Sequence, residues 1–197
     1  RGTRVGTLDL SKPNAPAWNK LATLGTEPTA VVRRGDHLFA ASTEGLVSVA
    51  LGKTSSVRFT SRAELDVEWA FAQKGSLGYV ARAESGFSIE DQRDPKTPKV
   101  LSRTAMKTGG LALDGNLAYV SAIDALHVYD VRKPEAPVRV GSVAAPGRSL
   151  GLVHVAGNRA YAVCGTGDVC VFDVTTPSAP AFVAAKASAL AVPGGMS

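Results

Sequence analysis

The chain has 197 residues, 45% hydrophobic and 20% charged, an ordinary globular balance that allows one domain with a sizeable core. Its net charge is +5, and the 22 Lys and Arg are scattered, with no basic cluster of the kind that grips nucleic acid, so no nucleic-acid partner is expected. No apolar run approaches the ~20 residues of a membrane helix, no signal peptide is evident, and a first residue Arg1 in place of Met leads us to expect trimming upstream.

In chain order, short alternating segments are separated by Gly, Asn, Asp and Pro, which is strand-and-hairpin punctuation. The first pair, 4–9 and 17–24, reads as two strands of an incomplete unit. Four fuller units follow, at about 28–60, 67–103, 108–143 and 150–185. The third shows the pattern best: strands over 110–113, 117–121, 125–130 and 138–143, labelled A to D. A last apolar stretch, 189–192, is a candidate strand A for the incomplete unit.

Three anchors repeat through these units. Asp-x-x-x-Pro-x-x-Pro occurs from Asp9, Asp91, Asp130 and Asp173, with first prolines Pro13, Pro95, Pro134 and Pro177 stepping by 82, 39 and 43. The double step implies one copy, near Gly52, that has lost its prolines. Gly-x-x-x-aromatic begins at Gly35, Gly75, Gly115 and Gly157, stepping by 40, 40 and 42, so the period holds through that copy as well. The third anchor is an alternating strand running into the Asp, as in 126–130 and 169–173, weaker in 87–91, and ending on Leu51 in the degenerate copy. Gly and Asn tolerate the positive φ of a tight hairpin, Asp accepts turn amides, and Pro stabilises a turn where it would break a strand. Four strands per ~40 residues is the period of a propeller blade. The expected fold is therefore all-β, a β-propeller of four-stranded antiparallel blades. Five blades result if the two chain ends share one; the missing strand B of that blade leaves a larger ring as the alternative.

At these residues the chain resembles the LVIVD-repeat family of bacterial proteins. The strands ending in Asp130 and Asp173, the following Pro-x-x-Pro turns and the elements at 115–120 and 157–162 carry the resemblance. It implies a propeller, often in secreted or envelope-attached proteins, with binding roles; an extracellular, periplasmic or envelope location is the resulting expectation. The copy through Leu51 departs most from the pattern.

Blade topology places the A–B and C–D turns at one end and the B–C and D–A loops at the other. The regular turns look architectural, so the second end is the expected binding surface. Its polar residues are Glu44, Arg62, Glu64, Arg82, Glu84, Lys107, Asp124, Arg148 and Asp168. Charges of both signs there suit a protein or polar ligand better than nucleic acid, and a protein partner or a larger assembly is the expectation.

Cys164 and Cys170 flank the turn 165–168, where a hairpin brings them close enough for a disulfide; that bond and a pair of reduced core thiols both remain open. His37, His127 and His154 fall on different blades, so no shared metal site is expected, and no cofactor either. Asp9, Asp91, Asp130 and Asp173 recur once per unit and read as turn formers, too dispersed for paired carboxylate chemistry. No Gly-x-Ser-x-Gly, P-loop or His-Glu-x-x-His occurs. Trp18 and Trp69 read as packing residues. The expected function is a non-enzymatic interaction or scaffolding propeller. One rival is a channel enzyme, a metal-dependent hydrolase or lactonase-like propeller using His154, Glu68 and Asp66; another is a structural subunit assembling through open blade edges.

Overall fold

A computed structural model describes residues 3–9, 17–24, 28–34, 37–42, 45–50, 56–59, 68–93, 98–165 and 167–186, with side chains from residue 70 onward. They belong to two compact units, Arg1–Met106 and Lys107–Ser197.

In the first unit, β1 (Thr3–Asp9) and β2 (Ala17–Leu24) form a two-stranded antiparallel sheet, Asp9 opposite Ala17. A four-stranded sheet follows: β3 (Pro28–Arg34), β4 (His37–Ser42), β5 (Gly45–Ala50) and β6 (Ser56–Phe59). The next comprises β7 (Glu68–Lys74), β8 (Leu77–Arg82), β9 (Gly86–Asp91) and β10 (Lys99–Thr104). Strand β2 lies beside β5 and β6, and β7 beside β3 and β4.

The second unit holds two more four-stranded sheets. One is β11 (Thr108–Asp114), β12 (Leu117–Ala122), β13 (Ala125–Asp130) and β14 (Val138–Ala144). The other is β15 (Leu150–Ala156), β16 (Arg159–Cys164), β17 (Asp168–Asp173) and β18 (Ala181–Lys186). Each sheet is a meander in sequence order, so each expected repeat contains one four-stranded sheet. The candidate strand at 189–192 lies outside the described residues.

The turns carry the chemistry that the anchors predict. Gly75, Gly115 and Gly157 begin the turns between first and second strands at φ +59°, +56° and +57°, where an L side chain is strained. The residue after each anchor Asp then donates its N–H to the second turn residue: Gln92 to Ser76 O at 2.7 Å, Val131 to Asn116 O at 2.9 Å, Val174 to Asn158 O at 3.0 Å. The A–B turn and the start of the C–D connection are thereby tied together at one end of each sheet. The anchor carboxylates close the same corner, accepting the backbone N–H of Arg93, Arg132 and Thr175 at 3.0, 3.0 and 2.9 Å.

In the second unit, β15 lies across β11 and β12. Period-two alternation sends Tyr119, Leu126 and Val128 from one sheet, and Ala160, Ala162, Cys164, Cys170 and Phe172 from the other, into a common apolar core. The contact is close: a Cβ on Gly109 would stand 2.0 Å from Leu150 O, and Ser121 Oγ donates to Gly151 O at 2.6 Å.

Candidate functional site

The loops at the other end of the second unit's sheets converge. Asp124 O accepts from Ala145 N at 2.7 Å, Ile123 O from Leu150 N at 3.1 Å, and Ser149 O from Gly165 N at 3.0 Å. These bonds join the β12–β13 turn, the crossing 145–149 and the β16–β17 turn. Arg148 Nη1 donates to Asp168 Oδ2 at 2.9 Å, and both side chains remain about a third exposed, 36% and 35%. Lys107 and Asp124 are exposed at the same end. Four residues of the expected surface are therefore placed together, two of them as an ion pair anchored on hydrogen-bonded loops.

In the first unit, Glu84 is exposed in the β8–β9 turn. Arg82 is not on the surface as expected. It is 2% exposed, and its guanidinium donates to Ser88 Oγ at 2.7 Å and to Glu90 Oε1 at 2.9 Å. The reason is register: Arg82 pairs with Gly86 and Val80 with Ser88, so Arg82, Ser88 and Glu90 share one sheet face and the Arg side chain lies along it. Ser88 Oγ also lies 3.1 Å from Glu90 Oε1, completing a buried polar triad. Glu44, Arg62 and Glu64 lie outside the described residues, as does Asp66; the side chains of Trp18, His37, Glu68 and Trp69 are likewise not described.

Cys164 and Cys170 form a disulfide, with Cα atoms 5.8 Å apart and both residues buried. Counting from the turn glycine and the anchor Asp, they hold the places that Arg82 and Ser88 hold in β7–β10. The two sheets thus close the same hairpin by different chemistry, a covalent bond in one and a charged hydrogen bond in the other.

The anchor aspartates behave as turn residues. Side-chain hydrogen bonding to Arg93 holds the Asp91 carboxyl below the usual range, Arg132 does the same for Asp130, and Thr175 followed by Arg159 does so for Asp173. His127 Nδ1 lies 2.9 Å from Ser142 Oγ, and burial pushes its pKa down. His154 is exposed on β15 beside a shallow apolar hollow of about 250 Å³ lined by Leu152, Tyr161, Val163 and Val169. Among the described residues, no three His, Cys, Asp or Glu side chains gather as a metal set, and no helix is long and apolar enough to cross a membrane.

No protein-family model matches the chain, and no curated protein resembles it in sequence. Solved structures do. Saccharomyces cerevisiae Sqt1 is similar at TM-score 0.65 and 9% identity, over 86% of this chain and 52% of that one. A S. cerevisiae complex of Dbp5 bound to Nup159, Gle1, IP6 and ADP is similar at TM-score 0.56 and 14% identity, over 78% of this chain and 46% of that one. The chain has a β-propeller fold. It spans about half the length of both of those chains. Myxococcus xanthus glutaminyl cyclase is similar at TM-score 0.53 and 17% identity, over 79% of this chain and 70% of that one. At such identities the likeness carries the propeller fold and nothing finer.

Proposed function

We propose that this propeller is a binding or scaffolding module of the bacterial surface or envelope, and that it takes a protein partner on the end bearing the B–C and D–A loops. The reading rests on the contrast between the two ends of the β11–β18 sheets. At one end the turns are tied by Asp, Pro and backbone bonds that repeat in each sheet. At the other, Lys107, Asp124, Arg148 and Asp168 present both signs of charge from loops held by their own hydrogen bonds. A preorganised surface of mixed charge favours specific docking to a complementary protein over nucleic acid. One similar solved structure has Dbp5 bound to Nup159, which supports protein docking as a use of this fold. The envelope location is supported by the Cys164–Cys170 disulfide, a bond favoured in oxidising compartments, and by the resemblance to LVIVD repeats.

The test is affinity capture from extracts of the source cells, with wild type compared with a Lys107→Glu/Asp124→Lys/Arg148→Glu variant. A protein retained by wild type and by a control changed at the opposite end (Lys133→Glu/Glu135→Lys), but lost by the first variant, is the expected result. Retention by all three, with folding intact by circular dichroism, would remove this end from the binding surface.

A further inference from the structure

The bond between Cys164 and Cys170 closes directly behind the loop end that carries Arg148 and Asp168. Cys164 ends β16 opposite Asp168, the first residue of β17. Its neighbour Gly165 donates its N–H to Ser149 O at 3.0 Å, in the crossing that carries Arg148, and Asp168 accepts from Arg148 at 2.9 Å. Both links to the crossing therefore start inside the short loop that the disulfide closes. That loop needs restraint: Gly165 and Gly167 stand at φ +58° and +120°, and glycine leaves a turn many other conformations. The bond across it, from Gly167 N–H to Cys164 O, is long at 3.4 Å.

The preceding sheet differs. Its β12–β13 turn has only Ile123 and Asp124 between the strands, and both carbonyls accept from the crossing, at 3.1 and 2.7 Å. Among the described residues, the β16–β17 turn has one such backbone bond, that of Gly165. The disulfide is not what makes the sheet. Counted from the turn glycine and the anchor Asp, its places are held by Ala122 and His127 in β11–β14 and by Arg82 and Ser88 in β7–β10, and each of those sheets has its four strands. What the disulfide adds falls on the turn.

Taking this end as the docking surface, we propose that oxidation of Cys164 and Cys170 is the step that makes it able to dock a protein. A chain folded with two thiols keeps the β15–β18 sheet but not the fixed turn, so Asp168 no longer holds Arg148 in place. Docking then carries the cost of ordering a loose loop, which the oxidised chain avoids. In the step itself, the two thiols pass two electrons and two protons to a small-molecule disulfide, which leaves as two thiols while the Sγ–Sγ bond forms. Cys164 is 1% exposed and Cys170 0%, so the exchange takes place before the core closes. The compartment in which the chain folds thereby decides whether it can dock.

Amide exchange followed by NMR tests this, on protein refolded with glutathione disulfide and on protein refolded and kept in reductant. The Gly165 N–H reports the turn; the Val174 N–H, bonded to Asn158 O at 3.0 Å at the opposite end, reports the sheet. Gly165 is expected to exchange about tenfold faster in the dithiol form, with Val174 unchanged within about twofold. If both amides accelerate, a Cys164→Ala/Cys170→Val chain, which refills the core, replaces the dithiol form, with the same difference expected. Equal Gly165 exchange in the two forms would overturn the proposal, as would acceleration of both amides by one factor in the refilled chain as well. Capture adds the second readout: a partner lost by the Lys107→Glu/Asp124→Lys/Arg148→Glu variant should also be lost by the dithiol form. Its retention there would overturn the proposal and leave the docking surface standing. Retention by the charge variant too would overturn the docking role itself, with the Gly165 difference unaffected.

Discussion

Arg82 and Glu90 form an ion pair at 2.9 Å inside the β7–β10 sheet, with side chains 2% and 3% exposed. Removing one partner leaves a charge without solvent or a counter-ion. Arg82→Ala or Glu90→Ala is therefore expected to cost about 3–5 kcal/mol, whereas Arg82→Met with Glu90→Leu should lie nearer wild type because no charge remains buried. Urea unfolding followed by circular dichroism measures both. Single variants within about 1 kcal/mol of wild type would mean that water reaches the pair.

The equivalent hairpin in β15–β18 is held by Cys164–Cys170. The loop closed is short, so replacing both cysteines with Ala should lower stability by only about 2 kcal/mol on the chain-entropy account. Since both sulfurs lie in the apolar core, reductant should reach them slowly without denaturant. The expected result is little alkylation of the native protein under mild reduction, and two labels once it is unfolded. Rapid labelling of the native protein would show that this hairpin opens by itself.

The difference between these two hairpins also marks how far the sequence could be read. The repeat, the meander and the turn chemistry were legible because Gly75, Gly115 and Gly157 need positive φ and Asp91, Asp130 and Asp173 need turn amides, both local demands. The exposed positions of Lys107 and Asp124, and the half-buried one of Arg148 at the same end, followed from topology. Arg82 was misplaced because loop assignment stops at the strand end and cannot tell which way the last side chain turns. A signal was present: Ser88 and Glu90 occupy places where the last repeat has Cys170 and Phe172, and two polar residues on a buried face need a buried partner. The cysteine pairing was likewise beyond spacing alone, since it depends on strand register, with Cys164 opposite Asp168 and Cys170 opposite Ala162.

Gly141 on β14 has a demand of its own, close approach. A Cβ there would stand 2.0 Å from Pro177 O and 2.9 Å from Pro180 Cδ, in the turn that follows β17. Backbone and a proline ring yield little, so Gly141→Ala should destabilise by about 1–3 kcal/mol. Gly115→Ala meets no atom within 4 Å and suffers only from its φ of +56°, for a smaller loss of about 1 kcal/mol. Thermal unfolding of the two variants should rank them in that order. The reverse ranking would mean that β14 is free to move away from the Pro177–Pro180 turn.

Acid should loosen the anchor turns. Hydrogen bonds from Arg93, Arg132 and Thr175 favour the ionised forms of Asp91, Asp130 and Asp173, so their folded pKa values lie below the unfolded ones. The unfolded chain then binds protons first as pH falls. The stability that these carboxylates contribute is fully present above about pH 4, the range of an unfolded Asp, and is lost as pH drops through the lower folded values. His127 acts in the same direction, because burial depresses its pKa and protonation favours the unfolded chain. Replacing all three aspartates with Asn keeps an acceptor in each turn and removes the titration. That variant should be less stable than wild type at neutral pH, and its stability should fall less steeply on acidification below about pH 4. Denaturant midpoints measured from pH 7 to pH 2 give both profiles. Parallel profiles would show that the acid sensitivity of the fold resides in other carboxylates.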